Sequence, residues 1–251
     1  MITVKDIAID RRLLPTSFQI EAGEVVHLVG PNGSGKSSLI AALAGELAYN
    51  GKVYLQGCLV ERQANEQQAS LRSYLAQSGR PAFNVPVYKY LDVSVPKWVD
   101  KHGECFKDTF VMLVEQFALT TKLRKSVHQL SGGEWQRVRI VATCLQIWPD
   151  YNPHAQFVLL DEPSAALDVS FEGKLHQLIR QLADMGLAVI VANHDLNRTL
   201  RHADKVMMLD QGVMRGFGPV ADTLLAHRVE AIYQTPVTLG CVDGQALFVF
   251  D

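Results

Sequence analysis

The chain has 251 residues, 48% of them hydrophobic, and a formal net charge of −2. That length suffices for one large domain with a full core, and the near-neutral balance, with no long basic block, does not favour nucleic acid as a partner. The longest apolar runs, such as residues 187–192, fall far short of the ~20 residues a bilayer span needs; the first residues lack the shape of a signal peptide; and Cys58, Cys105, Cys144 and Cys241 form no C-x-x-C pair, so a cytoplasmic chain with reduced thiols is expected.

Residues 1–28 alternate loosely, with a turn at Gly23, and read as short strands. The run 25–29 is a further strand, and 38–43 a helix. Between them lies Gly30-Pro31-Asn32-Gly33-Ser34-Gly35-Lys36-Ser37, followed by Ser38. This is G-x-x-x-x-G-K-[ST], a phosphate-binding P-loop in the strand–turn–helix setting the pattern requires. Its glycines let successive N–H groups face one anion, and the helix start adds positive potential. Lys36, read as an exposed loop lysine, is placed to reach the β- and γ-phosphates of ATP, and the Ser37 hydroxyl to ligate Mg²⁺. A glycine-bounded strand at 51–57 completes a small antiparallel sheet beside the nucleotide. A strand over 73–76 leads to Gln77 and to the structure-breaking Ser78-Gly79-Arg80-Pro81.

From 86 to 148 the pattern turns helical. Leu130-Ser131-Gly132-Gly133-Glu134-Trp135-Gln136 opens a helix whose Ser131 and Glu134 have capping-box spacing, and Val138, Val141, Leu145 and Trp148 recur on one face. Two readings fit: a well-capped helix, or a helix N-terminus left bare by Gly132 and Gly133 to meet a phosphate from another molecule. Strands return at 157–160 and 188–192 as continuous apolar runs, as for parallel strands covered on both faces. The first ends in Asp161 and Glu162, placed to hold Mg²⁺ and to polarise an attacking water. After the second comes His194, either a structural side chain or a hydrogen-bonding partner of the γ-phosphate or the water; Asp195 caps the next helix. Hairpins are expected around Asp210-Gln211-Gly212 and Val242-Asp243-Gly244-Gln245.

The order and approximate spacing of Gly30–Ser37, Gln77, Leu130–Gln136, Asp161–Glu162, Ser164-Ala165-Ala166-Leu167-Asp168 and His194 resemble the ATP-binding cassette family over nearly the whole chain; the Leu-Ser-Gly-Gly-Glu-x-Gln stretch is close to diagnostic. The resemblance implies an α/β P-loop NTPase core of mainly parallel strands with an antiparallel β subdomain (about 1–85 and 150–251) and an inserted helical subdomain (about 86–149). It implies an ATPase acting as a head-to-tail homodimer, each ATP held between the P-loop of one protomer and Ser131, Gly132 and Gly133 of the other. Asp168 would lie between the two sites, and Gln77 would link Mg²⁺ to the helical subdomain. Two copies of a transmembrane permease, and indirectly a periplasmic binding protein, complete the assembly at the cytoplasmic face of the inner membrane. Many members stack an aromatic residue on adenine; here the corresponding stretch offers only Arg11 or Arg12. Trp135, the long approach 146–153 and the stretch 193–203 resemble more narrowly the ATPase subunits of vitamin B12 importers, with haem and iron–siderophore importers as alternatives and soluble cassettes acting on nucleic acid or ribosomes further off.

Overall fold

The computed structural model describes residues 1–60, 65–77 and 79–250; Ser78, in the predicted breaker, lies outside them. In chain order the elements begin with strands β1 (Ile2–Ile9), β2 (Leu13–Ile20) and β3 (Val25–Val29), helix α1 (Lys36–Ala44), strands β4 (Asn50–Leu55) and β5 (Cys58–Leu59), helix α2 (Asn65–Leu71) and strand β6 (Arg72–Leu75). Helices α3 (Val87–Ser94), α4 (Glu104–Gln116) and α5 (Gly132–Ile147) follow, then β7 (Phe157–Asp161), α6 (Val169–Asp184), β8 (Ala188–Ala192) and α7 (Leu196–His202). The hairpin β9 (Lys205–Asp210) and β10 (Val213–Pro219), helices α8 (Val220–Thr223) and α9 (Ala226–Tyr233), and a hairpin of β11 (Val237–Val242) and β12 (Gln245–Phe250) close the chain.

The central sheet has the order β10-β9-β3-β8-β7-β6, parallel except for the edge strand β10. Its inner strands β3, β7 and β8 are buried along their whole length, which is why they read as unbroken apolar runs rather than alternating ones. The alternation is still there, divided between two cores. Val158, Leu160, Val189 and Val191 pack with residues of α3 to α6, while Phe157, Leu159, Ala188 and Ile190 pack with α1 and with β1, β2 and β4. Those three strands and β5 make the separate antiparallel sheet β2-β1-β4-β5 expected from the sequence. A third cluster joins Val29, Val206 and Met208 to α7, α9 and the last hairpin. Both predicted hairpin turns occur, with Gln211 and Gly212, and Asp243 and Gly244, at positive φ, the geometry that matches strand twist in two-residue turns. The strand expected at 73–76 is shifted by one residue, because the parallel ladder to β7 pairs Arg72 with Phe157 and ends at Leu75. Among the described residues no helix is long and apolar enough to cross a membrane.

The consequence for function lies at one edge. The C-terminal ends of five parallel strands line up: β3 leads into Gly30, β6 to Gln77, β7 to Asp161 and Glu162, β8 to His194, and β9 to Gln211. This is the edge at which α/β sheets bind ligands.

Candidate functional site

The P-loop wraps a cavity of about 710 Å³ at that edge. Gly30 must be glycine for a packing reason: a Cβ there would stand 2.0 Å from the Leu209 carbonyl oxygen of β9. The loop is tied to its neighbours by backbone bonds. Gly212 N–H donates to Ser34 O at 3.0 Å, and Leu14 N–H to Gly212 O at 2.7 Å. The turn between β1 and β2, the P-loop and the β9–β10 turn therefore form one rim.

Lys36 is not the exposed loop residue expected from the sequence. It opens α1 and is buried, because the loop curls over it and its Nζ donates to Gly30 O at 2.7 Å and Pro31 O at 2.9 Å. Burial pulls its pKa down, against the opposing pull of Glu162 and Asp161. Ser37 Oγ donates to Asp161 Oδ1 at 3.1 Å, joining residues 124 positions apart. Burial pushes the Asp161 carboxyl up, the Ser37 hydrogen bond pulls it back, and neighbouring Glu162 adds to the rise. Such a carboxylate is short of positive charge. Together with a hydroxyl it offers hard oxygen donors of the kind Mg²⁺ takes in company with phosphates and water, so the donor set fits that ion.

Glu162 follows β7 with φ 51, and Ala166 four residues later has φ 64. Non-glycine residues rarely adopt this region, and those that do cluster at functional sites. Glu162 N–H still donates to Ala192 O of β8 at 3.2 Å, which anchors the turn. Its carboxylate Oε1 meets His194 Nε2 in a short contact across the β7–β8 gap. His194 is thus in contact with an acid at the cavity and not part of the core.

Ser34, Gly35, Lys36, Ser37, Ser38, Asn32, Gly33, Gln77, Glu162 and His194 line this one cavity, with Asp161 behind Ser37. Gly30 and Pro31 form the loop's base and supply the carbonyls to Lys36. Arg11 and Arg12 also line the cavity, from the β1–β2 turn. Gln211 lines it too and was not foreseen: its hairpin was legible, but its place beside the P-loop depends on the parallel pairing of β9 with β3.

Ser131, Gly132, Gly133 and Asp168 do not line this cavity. Ser131 is the exposed N-cap of α5: its Oγ accepts from Glu134 N–H at 3.1 Å, and the Glu134 carboxylate accepts from Ser131 N–H at 2.9 Å. Lys122 and that N–H hold the Glu134 carboxyl down to about 2. Gly132 is open, but Gly133 is not merely a bare position, since a Cβ on it would sit 2.7 Å from Ala166 O. Asp168 caps α6, accepting from Phe171 N–H at 3.0 Å.

A P-loop whose serine meets a strand-end aspartate, followed by glutamate and a histidine from the next strand, on this sheet order, defines an ATP-binding cassette. The chain belongs to the ABC transporter family, whose profile matches residues 13–165; it is the ATPase subunit of such a transporter and binds nucleotide. Over its full length it is 45% identical to the vitamin B12 import ATP-binding protein BtuD of Vibrio parahaemolyticus, over 255 residues covering 100% of both chains. The protein of the same name from Photobacterium profundum is 41% identical, with 100% of this chain and 99% of that one covered. Among solved structures, an ATP-binding subunit of an ABC transporter superposes with a TM-score of 0.78 at 21% identity, covering 92% of this chain and 93% of the other. An ATP-binding cassette in a dimeric post-hydrolysis state bound to ADP and Pi gives 0.73 at 22% identity, covering 88% and 99%. These structures share the fold.

Proposed function

We propose that this chain hydrolyses ATP to drive vitamin B12 import, as a peripheral subunit on the inner membrane's cytoplasmic face. The observation that carries the catalytic reading is the joining of Ser37 to Asp161 and of Glu162 to His194 around one P-loop cavity. The substrate reading rests on the names of the full-length relatives.

Backbone N–H groups of residues 30–38 and the start of α1 bind the phosphates, and Lys36 exchanges its two carbonyl partners for phosphate oxygens. Ser37, Asp161 and Gln77 hold Mg²⁺, which neutralises phosphate charge when bound. The Glu162 carboxylate accepts a hydrogen bond from the attacking water and orients it in line with the γ-phosphate; His194 holds that carboxylate and contacts the γ-phosphate. Ser131, Gly132 and Gly133 bind the γ-phosphate of a second copy in a homodimer, and Asp168 lies between the two sites. Residues 86–149 act as a helical unit. They expose the large apolar side chains of Tyr88, Val93 and Trp98, which suit contact with one of two permease copies, through which a periplasmic binding protein acts indirectly.

The test is reconstitution in vesicles with a candidate permease subunit. ATP-dependent uptake of cobalamin, lost in Glu162→Gln, supports the reading. Uptake of haem or an iron chelate in place of cobalamin overturns the substrate, and full hydrolysis by Glu162→Gln overturns the mechanism.

A further inference from the structure

The loops that carry Glu162 and His194 meet at the cavity, where the two side chains touch. They meet a second time at their far ends. The first loop runs from β7 into α6, whose first turn is built on Asp168: Phe171 N–H donates to Asp168 Oδ1 at 3.0 Å and Glu172 N–H to Asp168 O at 2.9 Å. The second runs from β8 into α7, which Asp195 caps by accepting from Arg198 N–H through Oδ1 at 3.0 Å. The Arg198 side chain lies between the two helix starts. Its Nε is 2.9 Å from Asp195 Oδ2, and its Nη2 meets Glu172 Oε2 in a short contact. One guanidinium thus bridges the residue after His194 and the first turn of α6. Its planar fork suits this, because two N–H groups in fixed directions serve two carboxylates at once.

The two helix starts differ in how they are otherwise held. That of α7 is fastened to the sheet. Asn193 N–H donates to Leu28 O of β3 at 3.0 Å, Asp195 N–H to Asn193 Oδ1 at 3.0 Å, and Thr199 Oγ1 to Asp195 O at 3.1 Å, with His27 Nδ1 of β3 3.1 Å from the same hydroxyl. The start of α6 has less to hold it. Ala165, Ala166, Asp168, Val169 and Ser170 are exposed, and the buried face of the helix begins only at Leu175. Phe171 turns toward the helical unit, where the Arg137 guanidinium stands 4.0 Å over its ring. Glu172 reaches the other way, to α7. The Arg198 and Glu172 side chains are 29% and 15% exposed, so water screens the pair only in part. Without the guanidinium, Asp195 and Glu172 would face each other as like charges, and the α6 start would be released from the fixed α7.

We propose that Arg198 is a positioning residue for ATP hydrolysis, tying the start of α6 to α7 so that Glu162 and His194 are held in register at the cavity. This rests on the ATPase reading above. Arg198 does not itself line the cavity, so its effect falls on the rate of hydrolysis rather than on nucleotide affinity.

Arg198→Met keeps the unbranched stem and drops the charge; Glu172→Gln neutralises the partner at constant size. In the nucleotide-free full chain, hydrogen exchange of the peptide spanning residues 163–173 should quicken in both variants, while that of residues 25–35 stays unchanged. In ATPase assays, kcat should fall about 3–10-fold in each, with KM within about twofold, as for partly shielded charges acting in one network. The double variant lacks both the bridge and the repulsion, so it should be no slower than Arg198→Met alone. Unchanged exchange in both single variants overturns the tether. Faster exchange with unchanged kcat, or single-variant losses that multiply in the double variant, overturns the positioning role. A wild-type chain that hydrolyses no ATP overturns the ATPase reading and the catalytic role with it, whereas the exchange result still judges the tether between the two helices.

Discussion

At the residue scale, two carboxylates adjacent in sequence have different surroundings. Asp161 is the last residue of β7, buried and bonded to Ser37; Glu162 is turned by its positive φ toward the cavity and His194. Glu162→Gln keeps the size of the side chain but removes the base, so hydrolysis should fall by roughly 10²–10⁴-fold. It also removes one negative charge near the phosphates, so ATP binding should persist or tighten. Single-turnover hydrolysis with parallel nucleotide titration checks both. A near-normal rate would transfer the water-activating role to another group, His194 first. Lys36→Ala should abolish ATP binding in the same titration, since the nest loses its one formal cation. Its structural cost, about 1 kcal/mol, comes from leaving the Gly30 and Pro31 carbonyls to water rather than to Nζ.

At the element scale, the first turns of α5 connect two strand-end loops. Gln136 Nε2 donates to Pro163 O at 2.9 Å, Trp135 Nε1 to Gly79 O at 2.8 Å, and Arg139 to the Ala76 carbonyl. The helix that presents Ser131 is thus attached to the loops carrying Gln77 and Glu162, and displacement of one loop is felt at the other. Gly133 shows which force dominates there. Helix propensity alone makes Gly133→Ala stabilising by up to about 1 kcal/mol. The new Cβ would meet the Ala166 carbonyl at 2.7 Å, a backbone atom in a turn already at positive φ, and overpacking of this kind costs about 1–3 kcal/mol. Urea denaturation should show Gly133→Ala destabilised, whereas Gly132→Ala, whose Cβ comes no nearer than 3.9 Å to Ala166, should be neutral or stabilised. Equal stabilisation of both variants would mean that the close approach does not persist in solution.

At the scale of the whole molecule, β3, α6 and α7 meet around three histidines. His27 is buried in β3 with Nδ1 3.1 Å from Thr199 Oγ1, and the rings of His176 and His202 stack at 4.0 Å. Burial first, then the charges of His176 and His202, lower His27 to about 3 against the pull of Asp204; burial and His202 lower His176 to about 4. Both groups are near 6.5 in the unfolded chain. The folded state therefore favours the neutral rings. Their contribution is complete above pH ~6.5 and is lost as pH falls toward the folded values, at about 1.4 kcal/mol per unit for each fully linked group. From His27 alone, stability at pH 5 should be about 2 kcal/mol below that at pH 7. Thermal melts from pH 7.5 to 5 should show the decline, and His27→Gln should flatten it. A wild-type Tm unchanged over that range would contradict the buried, neutral state of His27.

The local devices were legible because each is specified by neighbouring residues. Phosphate-loop glycines, the Ser131–Glu134 capping box, the two-residue hairpin turns and the apolar runs of β7 and β8 all act through contacts within a few positions or through a period in the chain, and so does the order of motifs that marks the family. What tertiary structure decided are the close approaches between segments distant in sequence. The burial of Lys36 needs the loop to curl back on itself; the need for glycine at 30 and 133 comes from the Leu209 and Ala166 carbonyls; Gln211 reaches the cavity through the β3–β9 ladder; and Tyr233 comes to the outer side of the P-loop only because α9 packs on β3. Such contacts depend on which strands pair and which helices cover them. Propensity and period do not encode that choice, because the burial of both sheet faces, shared among many residues, selects the arrangement only once the whole core has assembled.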